Sequence, residues 1–377
     1  MPPRRRRRLR RPPRRRPPRR RRRGADPPAV PPDPRFHPAP SPLPLARLAE
    51  VAGAALPDSV DGTRPILGAA PLQTAGEGEV SYLDNRRFLD ALKATRAAAV
   101  LLRAEHAGAV PAGTVPLVVA DPHLAFARAS SALHPPPAPR PGIHPTAVVA
   151  PDARIGEGCE IGPYAVIGAG AEIGAGCVVE AHAVIGPGCV FGEGCRIMAH
   201  VSVSHTIAGR GVRLHPGARV GQEGFGFAPA PDGSFVSVPQ LGRVILGDFV
   251  EVGANACVDR GSGRDTVLGP GTRLDNMVQV GHNVETGRGC VIVAQVGLAG
   301  SSRLGDFVTL AGQSGVAGHV TVGSGARVGA QSGVMADVPP KTDVVGSPAW
   351  PARLTLKAFA RLKAIAEAPS APARQGE

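Results

Sequence analysis

Residues 155–178 read IGEGCEIGPYAVIGAGAEIGAGCV, four six-residue units that each open on isoleucine. A large apolar residue returns at every sixth position, at Ile143, Val149, Ile155, Ile161, Ile167, Ile173, Val179, Ile185, Phe191, Ile197 and Val203. The pattern resumes at Leu268 and runs through Leu274, Val280, Ile292, Leu298, Leu304, Leu310, Val316, Val322 and Val328 to Val334, with Thr286 its polar exception. Glycine commonly follows the apolar residue and a small residue sits four after it, the slot taken by Cys159, Cys177, Cys189, Cys195 and Cys290. A period of six matches neither a helix nor an alternating strand, and a fixed internal period marks a solenoid. One unit supplies a short strand and a turn, so three units close a triangular coil with the aliphatic and the small residues inside. Coils then stack at the strand spacing of about 4.8 Å.

The expected fold class is therefore mainly β: a parallel β-helix over 143–338, preceded by a small α/β domain and followed by a helix. Between Gln222 and Arg243 the repeat gives way to EGFGFAPAPDGSFVSVPQLG (223–242), and a loop extruded from a regular solenoid is usually there for binding. After Val334 the pattern ends, and Leu356, Phe359, Leu362 and Ile365 recur at helical spacing within a helix expected over 350–367. Upstream, HPPPAPRPG (134–142) reads as a linker. Residues 42–133 alternate helical segments (LARLAEVAGAAL, RRFLDALKATR, PHLAFARASSAL) with strands (EVSYL, AAVLL, VPLVVA).

The net charge of +13 suggests a nucleic-acid binder until it is located. Residues 1–24 hold fifteen arginines and no acid, so the rest of the chain carries 43 − 15 = 28 basic against 30 acidic side chains. The basicity belongs to an Arg/Pro-rich tail over 1–41 with too little apolar content to fold. That tail reads either as an arm for anionic surfaces or as a translation-start artefact. It has no apolar segment of a secretory signal, and nucleic acid is not an expected partner of the folded part. No stretch approaches the roughly 18–20 apolar residues of a membrane span, so the expected location is the cytoplasm, at most against the inner membrane leaflet. No CxxC pair occurs, which removes the usual redox and zinc readings of six cysteines.

His282, in LDNMVQVGHNVETG (274–287), falls in the third slot of its unit, outside the prism. A lone histidine there can be a solvated surface imidazole. Here Asp275, Asn276, Gln279 and Asn283 surround it in sequence, and His319 follows 37 residues later, about two coils on, so that one groove is expected to hold both histidines. An imidazole is suited to take a proton from an attacking amine or hydroxyl, and the turn LAGSS (298–302) exposes backbone N–H groups to a developing oxyanion. A zinc site is the rival, but His144, His182, His200, His205 and His215 all precede the loop, and no third ligand is evident.

SYLDNRRF, EGFGFA, PQLGRVILGD, CVDRG, LDNMVQVGHNV and VAGHV, in that order over residues 42–365, resemble the family of UDP-3-O-acylglucosamine N-acyltransferases of lipid A synthesis. The resemblance implies the left hand of the β-helix and a homotrimer with substrate between neighbouring prisms. It implies acyl carrier protein as donor, its acyl group on phosphopantetheine, and no metal or other cofactor. His282 would be the general base, the Gly300 N–H the oxyanion donor, and His319 a contact to the pantetheine arm or phosphates. Tyr82, Asn85 and Phe88 would hold uracil; an ordinary strand-to-helix junction with an Asn cap is the alternative. Phe225, Phe227, Asp275, Asn276, Gln279 and Asn283 would contact the acceptor. Gly333 stands where some relatives carry a bulky residue against the acyl tail. Arg353, Lys357 and Arg361 form a basic stripe suited to the acidic carrier protein, or a solvated face. The sequence departs from the family at Tyr82 and Phe88, where Phe and Tyr are usual in that order, and at Glu223, usually Asp. Other readings are a sugar-nucleotide O-acyltransferase, an acetyl-CoA-dependent N-acetyltransferase, a zinc hydratase or a catalytically silent scaffold.

Overall fold

A computed structural model describes Asp33, residues 35–36, 40–347 and 349–367. The rest of the arginine tail lies outside the described residues. The chain divides at Pro137/Ala138 into two compact units.

In the first unit a four-stranded parallel sheet runs Gly68–Ala69, Glu79–Leu83, Ala99–Leu102, Val115–Val118, in that spatial order. Helix α1 (Leu45–Ala52) and helix α3 (Pro122–Leu133) pack on one another and bury Leu45, Leu48, Ala129 and Leu133 with Leu101 and Leu117. Between the second and third strands, Asn85 caps a 3₁₀ turn (Arg86–Phe88) that leads into α2 (Leu89–Ala94). Asp121 caps α3 through the Leu124 N–H and Pro122 fills its first turn, where the missing N–H costs nothing.

The second unit is a triangular parallel β-helix whose three faces carry 11, 10 and 9 short strands. The apolar columns are continuous: Ile161, Val179, Ile197, Leu214, Val252, Leu274 and Ile292 align up one face. Val203, Val220, Val258, Val280, Leu298, Val316 and Val334 align up the next. Together with the small-slot residues they form one buried core along the axis. Thr286 fits that core because its hydroxyl accepts from the Gly269 N–H and meets Thr272, whose own hydroxyl donates to the Gly287 carbonyl.

The repeat does not stop at Val203. The column steps from Val203 to Ala208, one residue short, with His205 at φ 47° in the compressed corner. It then continues through Leu214 and Val220, resumes after the loop at Leu246, and passes a second insertion between Asp259 and Thr266. These phase slips hide two coils' worth of pattern from a strict period of six. The loop 223–242 folds as an antiparallel hairpin of Phe227–Pro229 and Phe235–Ser237. Strand pairing ends at Asp343–Val344, and helix α4 spans Ala352–Glu367.

Candidate active site

His282 lies at the corner that follows the strand Gln279–Val280. Its neighbour Asn283 adopts φ 59°, a left-handed conformation that Asn tolerates better than most side chains. The Asn283 side chain is almost fully buried and its amide is fixed from three directions. Nδ2 donates to the Arg264 carbonyl at 2.8 Å, while Oδ1 accepts from the Ser262 hydroxyl at 2.7 Å and the Ser262 N–H at 3.3 Å. The remaining contact, 2.9 Å from Oδ1 to His282 Nδ1, can therefore be satisfied only if Nδ1 carries the proton. Nε2 is left as the basic nitrogen.

That nitrogen lies against Gly300, one coil along. A Cβ at Gly300 would come within 2.7 Å of both Cε1 and Nε2 of His282, so only glycine fits. The peptide is held from both sides: the Ser301 N–H donates to the His282 carbonyl, and the Gly300 carbonyl accepts from the His319 N–H. The Gly300 N–H has no acceptor among the described residues. A free N–H donor and a free imidazole acceptor thus share one recess of about 570 Å³. The hairpin closes its other side, with Gly224 so near that a Cβ there would meet the His282 Cβ at 2.7 Å. Arg260, with a largely buried side chain, pins the hairpin base by donating to the Gln240 carbonyl, the Gly221 carbonyl and the Glu223 carboxylate.

Asp259 also lines this recess and was singled out by no sequence argument beyond its place in CVDRG. Its oxygens accept from Gln222 Nε2 at 2.7 Å and Gln279 Nε2 at 3.0 Å. Burial raises its pKa above the usual carboxylate value, opposed by these two amides and by the nearby His282. The column register could have found it: Val258 pairs with Val280, which sets Asp259 one coil below Gly281.

A second recess of about 460 Å³ shares Gln279, Leu298 and Ala299 with the first and runs up the same face. Its floor is the aligned column Gly297, Gly315, Gly333, where no side chain stands, and Met335 lies at its far end.

Several expected site residues lie elsewhere. Asp275 and Asn276 are on the preceding face, in a separate recess with His215, Glu251 and Arg273. Seven residues before His282 is one side of the triangle back, so closeness in sequence becomes distance in space. His319 is exposed and is not among the residues lining the His282 recess, though its N–H reaches the Gly300 carbonyl at the edge of that recess. Phe225 lines the recess, but Phe227 packs edge-on between Phe225 and Phe235 on the hairpin. Asn283 serves the imidazole instead of offering its amide to a ligand. Arg353, Lys357 and Arg361 are exposed on α4 with no acidic partner among the described residues.

In the first unit, Tyr82, Asn85 and Phe88 do come together, lining a recess of about 230 Å³ with Pro71, Leu72, Gln73 and Asp84. Tyr82 stacks on Phe126 at 4.5 Å between ring centroids. Asn85 Oδ1 accepts from the Arg87 N–H as the cap, which leaves its Nδ2 to donate outward. Two aromatic rings and an amide suit a planar, hydrogen-bonding ring. Among the described residues no group of three or more His, Cys, Asp or Glu side chains could hold a metal ion, and no helix is long and apolar enough to cross a membrane.

The family profile described as UDP-3-O-(3-hydroxymyristoyl) glucosamine N-acyltransferase, LpxD, matches residues 63–132, and that described as GMPPB C-terminal domain matches 143–268. The UDP-3-O-acylglucosamine N-acyltransferase of Granulibacter bethesdensis is 60% identical over 334 residues, 89% of this chain and 97% of that protein. The enzyme of the same name from a Methylobacterium species is 48% identical over 341 residues, 89% of this chain and 96% of that one. Among solved structures, the Arabidopsis UDP-N-acetylglucosamine acyltransferase superposes with a TM-score of 0.50 at 26% identity, over 54% of this chain and 71% of that one.

Proposed function

This chain belongs to the family of UDP-3-O-acylglucosamine N-acyltransferases, and from that premise we propose how its own residues carry the reaction. It is an acyltransferase of lipid A biosynthesis, with a left-handed β-helix, that acts on a UDP-sugar and acylates the glucosamine nitrogen. The observation that carries the residue assignment is the pinned Asn283 amide, which places the proton of a neutral His282 ring on Nδ1 and its lone pair on Nε2, beside the free N–H of Gly300.

The 2-amine attacks the acyl carbonyl, His282 Nε2 accepts a proton from that nitrogen, and the Gly300 N–H donates to the oxygen as it becomes anionic. Collapse re-forms the carbonyl and expels the thiol carrier, which takes the proton back from the imidazolium. The recess of Tyr82, Asn85 and Phe88 holds the uracil, with Asn85 Nδ2 donating to a ring oxygen. The glycine-floored groove takes the acyl tail, and its length up to Gly333 and Met335 suits a long 3-hydroxyacyl group.

The donor in this reading is acyl carrier protein, drawn to the basic stripe of α4, and no metal takes part. Asp275 and Asn276 can contact substrate only if a second copy brings its face to the His282 recess. We therefore place the active site between protomers of a homotrimer, working in the cytoplasm or at the inner leaflet, with His319 serving the donor arm at that junction. The test is an assay of purified protein with 3-hydroxyacyl carrier protein and UDP-3-O-acylglucosamine. N-acylated product is expected from the natural chain, and turnover reduced about a thousandfold from His282→Ala. Undiminished turnover in that variant would remove His282 from the mechanism.

A further inference from the structure

Three ionisable side chains line the His282 recess: His282, Glu223 and Asp259. Glu223 is already matched, its Oε1 lying 2.7 Å from the Arg260 guanidinium. Asp259 is not. Both its oxygens are held by neutral amides, those of Gln222 and Gln279, and no lysine or arginine among the described residues lies within ion-pairing distance. A half-buried carboxylate whose hydrogen-bond partners are all amides, beside an imidazole that is neutral when it acts as base, keeps most of its charge unbalanced, and such a group favours a cation that arrives with a ligand.

The reaction supplies one. When the amine lone pair forms the N–C bond, the carbonyl π pair moves to oxygen and the nitrogen becomes formally positive until it loses a proton. Gly300 and His282 answer the negative oxygen and the leaving proton, and neither answers the positive nitrogen. Before attack, an amine that arrives protonated presents the same charge.

We infer that Asp259 is the counter-charge for the acceptor's cationic nitrogen, and that it makes the site prefer an amine over a hydroxyl at the acylated carbon. This rests on the reading of His282 as the base that faces the same nitrogen. One N–H points to His282 Nε2 and another to the Asp259 carboxylate, which accepts a charge-assisted hydrogen bond and takes no proton in the step. An attacking hydroxyl has one hydrogen, given to His282, and nothing to offer Asp259. The carboxylate then costs such a ligand desolvation without return, which is selection by mismatch as well as by attraction.

The experiment is calorimetric binding at pH 7, without donor, of UDP-3-O-acylglucosamine and of UDP-3-O-acylglucose, its 2-hydroxy counterpart. It compares the natural chain with Asp259→Asn. The natural chain is expected to bind the amine about ten- to a hundredfold more tightly. Asp259→Asn should lose that preference by weakening the amine alone, and its kcat for N-acylation should fall with it. Equal weakening of both ligands, or no change in either, overturns the inference.

Asn is nearly isosteric, and burial disfavours the charge it removes. A carboxyl whose folded pKa is raised opposes folding most above that pKa, which offsets the one amide hydrogen bond that Asn cannot accept, so the melting temperature at neutral pH should change little. Should the single variant nevertheless melt early, Asp259→Asn with Gln279→Glu reverses the donor and acceptor across the 3.0 Å contact and returns a carboxylate to the recess. Part of the amine preference should return with it, and its absence also counts against the inference. His282→Ala separates the two readings: it should lower turnover about a thousandfold yet keep the binding preference for the amine.

Discussion

The imidazole of His282 meets an amide oxygen where a carboxylate would also fit, and that amide does three jobs with one side chain. It fixes the ring, sets the tautomer, and joins the corner to Ser262 and Arg264 of the insertion one coil below. Asn283→Ala is expected to lower kcat about a hundredfold with little change in acceptor KM, because the base is misdirected and binding contacts remain. It should also cost about 1–3 kcal/mol of stability, since the Ser262 N–H and the Arg264 carbonyl lose their partner in a buried corner. Steady-state kinetics and thermal melts check the two effects separately. In the sequence, slot position draws attention to His282 and glycine content to the turn 298–302, while only the family resemblance singles out Gly300. It misread Asn283 as a ligand contact because nothing in the linear order shows that the insertion Arg260–Asp265 folds back over that corner. Asp259 was hidden for the same reason: 23 residues from His282, it is one coil away only when the insertion is discounted.

At the scale of elements, the glycine column and helix α4 each carry an expectation. Gly297, Gly315 and Gly333 are aligned by strand pairing, and a side chain at any of them would stand up from the floor of the groove. Gly333→Met is expected to shift the preferred donor toward shorter acyl chains while leaving the short-chain rate intact, read from a series of donors. An unaltered chain-length profile would take the tail out of this groove. On α4 the side chains of Leu356, Phe359, Leu362 and Ile365 are exposed beside the basic stripe. Replacing Arg353, Lys357 and Arg361 with Glu should raise the KM for carrier protein about tenfold or more, with kcat and folding unchanged, and the effect should shrink in salt. Helical periodicity made α4 legible, as it did α1 and α3, with ends within a few residues. The short strands Pro65–Ile66 and Gly68–Ala69 escaped notice, being two residues each and carried by proline and glycine.

For the whole molecule, the arithmetic of three sides decides what one chain can do alone. His282 and the Asp275–Asn276 pair occupy different recesses on successive faces, so in the proposed homotrimer a ligand touching both would bridge two copies. Mixing His282→Ala chains with Asp275→Ala chains, each poorly active alone, is expected to restore about a quarter of natural activity through composite sites. No recovery after unfolding and refolding the mixture together would place each site within a single chain. The prism itself was legible from one hexad pattern, because every unit repeats the same inside and outside. What the pattern concealed were its irregularities at His205, the hairpin and Arg260–Asp265, and the last two of these wall the recess or brace its histidine.

The unbroken apolar columns have an evolutionary corollary. A tower assembled from interchangeable storeys can gain or shed a floor without disturbing those above and below, provided the count is a full circuit of three sides. The storeys between Ile155 and Phe191 contribute no side chain to the His282 recess, so duplication or loss of one circuit there would lengthen or shorten the prism without touching that recess.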